Sequence, residues 1–374
     1  MTTERFQDFL ARIEKPSTYL GTEINTIQKN GQNVRLKFAL AFPDLYEIGT
    51  SHFGLQILYH ILNHREEIAA ERVFTPGLDM ARLLKERGKT MVSLETKTPL
   101  MEFDIIGFSL LYELNFTNFL TILDLSDIPP FSRQRDIHFP LIIGGGPCTC
   151  NPEPVAEFFD ALVIGDGEEV VLQIADAWLG WKQRESRTRE QLLADLSRIQ
   201  GVYIPSHFDV SVESGGLQRL TPKSNRRAVI HKAIVPHLHG AHFPKAPIIP
   251  FGRPIHDRLR LEIARGCSRG CRYCQAGMIY RPVRERSLSS LTALAEDAIE
   301  NTGYEDLSLL SLSTGDYSNI GALLDRLMAN CEESKIAVSL PSIRAETLTS
   351  ELIQHIKKVR KTGFTIAPEA GSQR

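Results

Sequence analysis

Twice along this chain, short apolar runs alternate with stretches of helical period, and this alternation limits the fold more than any other feature. In the first half, the strand candidates are Val34–Phe42, Glu71–Phe74, Asp104–Leu110, Pro140–Gly144 and Ala161–Ile164. Helix candidates fall between them near Ser51–Asn63, Leu78–Arg87, Leu114–Leu123 and Glu153–Phe158, with Glu168–Trp178 after the last. Strands separated by helices need crossover connections, which give a parallel sheet covered on both faces. The pattern resumes with strands Leu259–Ala264, Leu307–Leu312, Ile336–Leu340 and Phe364–Ala367. Between them lie a helix capped by Ser287 and stopped near Gly303, one striped by Ile320, Leu323, Leu324 and Leu327, and one striped by Leu348, Leu352, Ile356 and Val359. Repeated units of this kind build all or part of a parallel barrel. The expected class is α/β: a doubly wound parallel sheet in residues 1–181, a connector in 182–255, and a (β/α) partial barrel of four strand–helix units in 256–374. With 374 residues, 42% hydrophobic and 24% charged, the chain can bury two or three ordinary cores.

Directly behind the run Leu259–Ala264 stand Cys267, Cys271 and Cys274, in the pattern C-x3-C-x2-C. Three thiolates on one short loop can hold three corners of a four-iron, four-sulfur cluster and leave one iron open to a small molecule. The competing reading is structural zinc, which wants four ligands, usually from two paired motifs. Cys148 and Cys150 lie far upstream, Cys331 sits in a helix-to-strand connection, and the loop has no histidine. Ligand count and spacing favour the cluster.

With Tyr273 just before the last cysteine, the motif resembles the signature of the radical SAM superfamily. The resemblance implies a [4Fe-4S] cluster on Cys267, Cys271 and Cys274. Its open iron would chelate S-adenosylmethionine (SAM), whose reductive cleavage yields a 5′-deoxyadenosyl radical. It also implies an external one-electron reductant of flavodoxin or ferredoxin type and an unidentified substrate. In that superfamily a glycine-containing element after the second strand holds the SAM amino group; by position, Gly315 and Asp316 match it. Tyr273, Arg344 and Glu369 complete the SAM candidates. Helix capping is the alternative role for Asp316 or Ser318, ahead of a helix from Asn319.

The strand ends of the first half carry a second pattern. Asp44, Tyr46 and Gly49 follow the first strand, Ser109 and Leu111 the third, and Gly144 and Gly145 the fourth. In order, these resemble the D-x-H-x-x-G, S-x-L and G-G elements of a cobalamin-binding domain. Tyr46 stands where the cobalt-ligating histidine would be, and a phenol is a poor substitute for imidazole. Two readings stay open: cobalamin bound without a histidine ligand, or an empty Rossmann-like domain. The resemblance to cobalamin-domain radical SAM proteins of undefined substrate covers essentially the whole chain. A six-strand partial barrel needs two more units than the sequence supplies, so a longer protein or a completing second chain is expected.

Other features carry less. Gly165-Asp-Gly167-Glu-Glu-Val170 lacks the third glycine of a dinucleotide fingerprint and opens a helix instead. Cys148 and Cys150 read as reduced loop thiols. His237, His239 and His242 read as solvated residues of a proline-rich linker. The net charge of −2 gives no global nucleic-acid footprint, although residues 253–286 hold nine arginines against three carboxylates. Those arginines suit neutralising an anionic cluster, with RNA the alternative partner. No apolar run reaches the roughly eighteen residues of a membrane helix, and unpaired cysteines suit a reducing cytoplasm. Function divides between a radical SAM enzyme, with methyl transfer if cobalamin is bound and methylthiolation-like or rearrangement chemistry otherwise, and a non-catalytic iron–sulfur or zinc module.

Overall fold

The structure, a computed structural model, describes residues 3–29, 31, 33–223, 229–252, 254–347, 349–350, 353–354 and 366–367. It divides into two compact units: Met1–Ile234 with Pro250–Ile255, and Val235–Ile249 with His256–Arg374.

The first unit runs α1 (Thr3–Leu10), β1 (Leu36–Phe42), α2 (Tyr46–Gly49), α3 (Phe53–His64), β2 (Ile68–Phe74), α4 (Leu78–Glu86), β3 (Ile105–Ser109), α5 (Phe116–Asp124), β4 (Leu141–Gly145), β5 (Ala161–Val163), α6 (Glu168–Lys182), α7 (Arg189–Leu196), β6 (Val202–Tyr203) and a hairpin, β7 (Phe208–Val212) and β8 (Gln218–Pro222). The sheet order is β2-β1-β3-β4-β5-β6, with the first five strands parallel and β6 antiparallel to β5. The chain leaves β1 towards β2 and then doubles back to β3, so the switch point lies between the carboxyl ends of β1 and β3. In β1 every residue but Lys37 is buried, as a strand covered on both faces requires. The segment expected as a helix at 153–158 is instead a short 3-10 helix, with Pro154 in its first turn. Strand β6, read as part of a connector, instead extends the sheet.

Strand β2 buries charge. Arg72 donates to Glu23 (2.9 Å) and to Glu95 through Nε (2.6 Å) and its own backbone N–H (2.7 Å). Its guanidinium also lies 5.7 Å from the centre of the Tyr59 ring. All four residues are buried.

The second unit runs β9 (Leu259–Glu262), β10 (Ala264–Arg265), α8 (Ala276–Ile279), β11 (Arg284–Glu285), α9 (Leu288–Thr302), β12 (Asp306–Leu310), α10 (Ile320–Glu333), β13 (Ala337–Ser339), β14 (Ile343–Arg344) and β15 (Ile366–Ala367). Strands β13-β12-β9 form a parallel sheet, β14 and β15 a separate parallel pair, and β10 and β11 an antiparallel one. Helix α9 begins at Ser287, whose hydroxyl accepts from the Ser290 N–H (3.3 Å), and ends at Gly303 with φ of 68°. The third strand is shorter than the sequence suggests. Pro341 cannot donate to a ladder and Ser342 turns through φ of 57°, so the chain breaks and resumes as β14. Most of the third expected helix, and Glu369, lie outside the described residues. Among the described residues no helix is long and apolar enough to cross a membrane.

The proline-rich stretch 235–249 does not hang free. Arg284 donates to the Val235 carbonyl (2.9 Å), and Arg286, 1% exposed, donates to the carbonyls of Leu238 (2.7 Å) and Ala241 (3.0 Å). A segment with few ladder partners has free carbonyls, and buried guanidinium groups need acceptors.

Candidate functional site

The cysteine loop leaves β10 and returns through α8 to β11. Its first turn depends on Gly266, whose φ is 89° and whose added Cβ would lie 2.6 Å from the carbonyl oxygens of Tyr280 and Pro282. Alanine there faces both a left-handed backbone and two carbonyls, a cost of about 1–3 kcal/mol. Gly266→Ala is expected to lower iron and sulfide content severalfold after anaerobic reconstitution; unchanged loading would show that the turn does not set the thiols.

Cys267, Cys271 and Cys274 are free and half-buried. The Cys274 N–H donates to the Cys271 carbonyl (3.0 Å), and the Gly277 N–H points at Cys274 Sγ (3.4 Å). From the end of β14, Arg344 Nη1 lies 3.6 Å from Cys271 Sγ. Arg269, inside the loop, donates through Nε to Asp316 (2.7 Å), through Nη2 to the other Asp316 oxygen, and through Nη1 to Glu346 (2.7 Å). Ser313 Oγ also donates to Asp316 (2.7 Å), and Arg344 Nε to Glu346 (3.2 Å). The Arg269 hydrogen bonds hold the Asp316 carboxyl below its usual range, and the Arg269 guanidinium is pushed up in turn. This ion-pair strap ties the loop to the segments after β12 and β14.

The strap brings Asp316 and Arg344 to the cysteines. Gly315 has another explanation: Thr347 fills the space its side chain would need. Tyr273 is 74% exposed. Glu346 escaped the sequence reading, and Arg269 entered it only as one of nine arginines; their only signal was an arginine lodged between two cysteines. Among the described residues no three His, Cys, Asp or Glu side chains converge on one metal ion. The donor set fits a four-iron cube, whose thiolates occupy separate corners, better than a single ion.

In the first unit, Asp44 accepts from Tyr112 (2.7 Å), Asn115 (3.1 Å) and the Leu45 N–H (2.8 Å). Tyr46 is turned inward and 4% exposed; its hydroxyl donates to Glu23 (2.9 Å) and accepts from the Phe251 N–H (3.0 Å). Burial and the Glu23 charge push its phenol upward, away from the phenolate a metal prefers. Gly49 is required by the rings of Phe74 and Phe42, and Gly144 by Leu162, Leu110 and Phe159. Only Gly145 faces open space, its nearest neighbour being Val163 at 4.0 Å. Ser109 and Leu111 are half-buried at the end of β3. Leu45, Tyr112 and Leu114 add exposed apolar surface around the switch point. These residues fit a planar ligand resting on the strand ends; they offer no cobalt ligand at Tyr46 and no open channel beside Gly144. A separate cavity of about 440 Å³ opens on the other side of β1, lined by Tyr46, Phe74, Thr75, Leu78 and Met80.

Part of the arginine-rich stretch is engaged within the protein. Arg265 and Arg286 both bond Glu262 (3.0 and 3.4 Å), Arg269 forms the strap, and Arg284 bonds carbonyls. Among the described residues at least these four cations are therefore engaged by the protein itself.

Two family models match in order: "Radical SAM proteins, N-terminal" over residues 54–205, and "Radical SAM superfamily" over 261–374. The uncharacterized protein MJ0966 of Methanocaldococcus jannaschii is 27% identical over 340 residues, covering 90% of this chain and 61% of that one. This chain therefore spans under two thirds of the length of that relative. Among solved structures, the radical S-adenosylmethionine methyltransferase TsrM from Kitasatospora setae, with cobalamin and a [4Fe-4S] cluster bound, superposes with a TM-score of 0.53 at 13% identity. The match covers 87% of this chain and 57% of TsrM. The same enzyme with tryptophan and a SAM analogue bound gives a TM-score of 0.51, again at 13% identity and with the same coverage. With both models matched in order along the chain, it belongs to the radical SAM superfamily, and its fold is similar to that of the cobalamin-bound TsrM.

Proposed function

We propose that this chain works as a radical SAM enzyme, cleaving SAM reductively at a [4Fe-4S] cluster held by Cys267, Cys271 and Cys274. The observation that carries this reading is three free, half-buried thiols on one glycine-turned loop, strapped by Arg269 to Asp316. When bound, a cluster with one open iron supplies the electron that breaks a sulfur–carbon bond of SAM. The residues of the chain do the rest. Arg344 sets a positive charge beside the Cys271 sulfur. Asp316, ionised by Arg269, offers a carboxylate to an ammonium group, and Arg344 a guanidinium to a carboxylate, the two charged ends of an amino acid. Glu369 and Tyr273 remain candidates for further contacts.

Cobalamin binding and methyl transfer form the finer part of the proposal. They are supported by the order of the strand-end elements, by open Gly145 and by the apolar rim of Leu45, Tyr112 and Leu114. Tyr46 is assigned a structural role. A flavodoxin- or ferredoxin-type reductant and a cytoplasmic setting complete the reading.

The test is anaerobic reconstitution with iron and sulfide, then reduction in the presence of SAM. 5′-Deoxyadenosine is the expected product; zinc in the isolated protein and intact SAM would overturn the proposal. Added cobalamin should co-purify on gel filtration and shift its visible spectrum. Its complete separation would leave the first unit as an empty Rossmann-like domain.

A further inference from the structure

One face of the second unit's sheet carries a row of polar groups with no assigned task. Strand alternation sends buried Leu259, Leu261, Leu307, Leu309 and Val338 to one side, where the apolar faces of α9 and α10 cover them. The residues between them face the other way. Register sets Arg260 beside Ser308 and Ser308 beside Ser339, so a guanidinium and two hydroxyls lie side by side across three parallel strands. At about 4.8 Å between strands, the row is roughly 10 Å wide.

Arg260 differs from the other arginines of this unit that are at least half-buried. Arg265 and Arg286 share Glu262, Arg344 holds Glu346 and Arg284 holds carbonyls. Arg260 is half-buried, and among the described residues no carboxylate or carbonyl bonds to it. Its charged and titratable neighbours are Arg258, which repels it, Tyr304, and His256, whose own imidazole is pushed down by burial and both arginines. Tyr304 is pushed up to about 12 by burial and then by Asp257, so it stays neutral and offers no countercharge. Burial draws the Arg260 guanidinium down to about 10. Ser308 is buried and its hydroxyl has no hydrogen-bond partner among the described residues, and the Ser339 hydroxyl has only a long contact, 3.4 Å, to the Leu307 carbonyl. The one carboxylate further along the same face of β9, Glu262, is already shared by two arginines. Withdrawing a guanidinium from water without an acceptor is costly, and its planar fork matches a two-oxygen anion.

We propose that Arg260, with Ser308 and Ser339, binds an oxyanion carried by the substrate, a carboxylate or a phosphate. The row sits towards the amino-terminal part of β9, while the cysteine loop follows its carboxyl end. It therefore anchors the remote end of a substrate whose reacting end lies towards the loop. The inference rests on the reading of this unit as a substrate-binding partial barrel.

The test uses inorganic phosphate and succinate as probes of the two anion types. Calorimetric titration and thermal unfolding are run on the full chain, as purified and after reconstitution. At least one probe is expected to bind saturably and raise the melting temperature. Arg260→Met should weaken that binding about tenfold or more and abolish the ligand-induced rise. Without the probe this variant should melt no lower than wild type, because it removes an uncompensated charge. Arg260→Lys should retain part of the affinity. Phosphate binding alone assigns a phosphorylated substrate, and succinate binding alone a carboxylate. Binding of neither probe, or equal binding by Arg260→Met, overturns the proposal. If Arg260→Met does not fold, Ser308→Ala, expected to bind severalfold more weakly, carries the same decision. The measurement needs neither SAM nor reductant, so a chain that binds the probe yet never cleaves SAM would refute the radical reading and leave the anion site standing.

Discussion

Alanine at Cys267, Cys271 or Cys274 is expected to leave the reconstituted chain without its cluster and 5′-deoxyadenosine formation at background. Loss of partners that only orient metal ligands typically costs about 10–100-fold, so loss of a ligand itself should exceed roughly a hundredfold. No other thiol is poised to substitute. Burial pushes Cys148 and Cys331 up to about 11 and raises Cys150 as well, so none is a ready thiolate. Iron content, visible absorbance and the paramagnetic signal of the reduced protein would each report the loss. Cys331→Ala is the matched control and should keep all three. An alanine variant in the loop that held its iron and still cleaved SAM would remove the basis of the assignment.

Arg72→Met is expected to cost the first unit about 3–5 kcal/mol, because it strands two buried carboxylates. In the native protein burial pushes Glu95 upward, and the charge and two hydrogen bonds of Arg72 pull it back only in part. Without Arg72, Glu95 loses the charge that pulls it down, and its folded-state pKa would stand further above the unfolded value of about 4.3. The folded variant would then bind more protons than the unfolded chain. Its deficit should be largest near neutrality and shrink as the pH falls towards the unfolded carboxylate range. Urea denaturation across that interval measures both the size and the slope. A loss under about 1 kcal/mol, the same at every pH, would mean that the network contributes little.

The parts of this molecule that were legible in the sequence are the local ones. Parallel strands buried on both faces read as continuous apolar runs, so β1 to β5 form within a few residues of their expected limits. Ser287 and Gly303 bounded α9 because capping is chemistry between neighbours. The three cysteines needed no partner to be recognised. What stayed hidden depends on residues distant in sequence. Arg269 and Asp316 are 47 residues apart, and nothing near either marks the other. Tyr46 stood where a cobalt-ligating histidine would be, and nothing near it showed that Glu23 takes its hydroxyl; Gly315 matched the element that holds the SAM amino group, and nothing near it showed that Thr347 packs against it. The stretch 235–249 read as a tether because the carbonyls that Arg284 and Arg286 grip belong to the backbone and leave no trace in composition.

Strand β6 also bears on how the chain is born. Until Val202–Tyr203 lies against β5, that strand exposes a ladder of unpaired amides and carbonyls, the kind of edge that recruits other chains. Translation at roughly 5–20 residues per second takes about 2–8 s to cover the ~40 residues separating the two strands. During that interval the nascent sheet is sticky on one side while α6 and α7 are still emerging. The last strand to join is thus the one that makes the newborn domain safe to release among its neighbours.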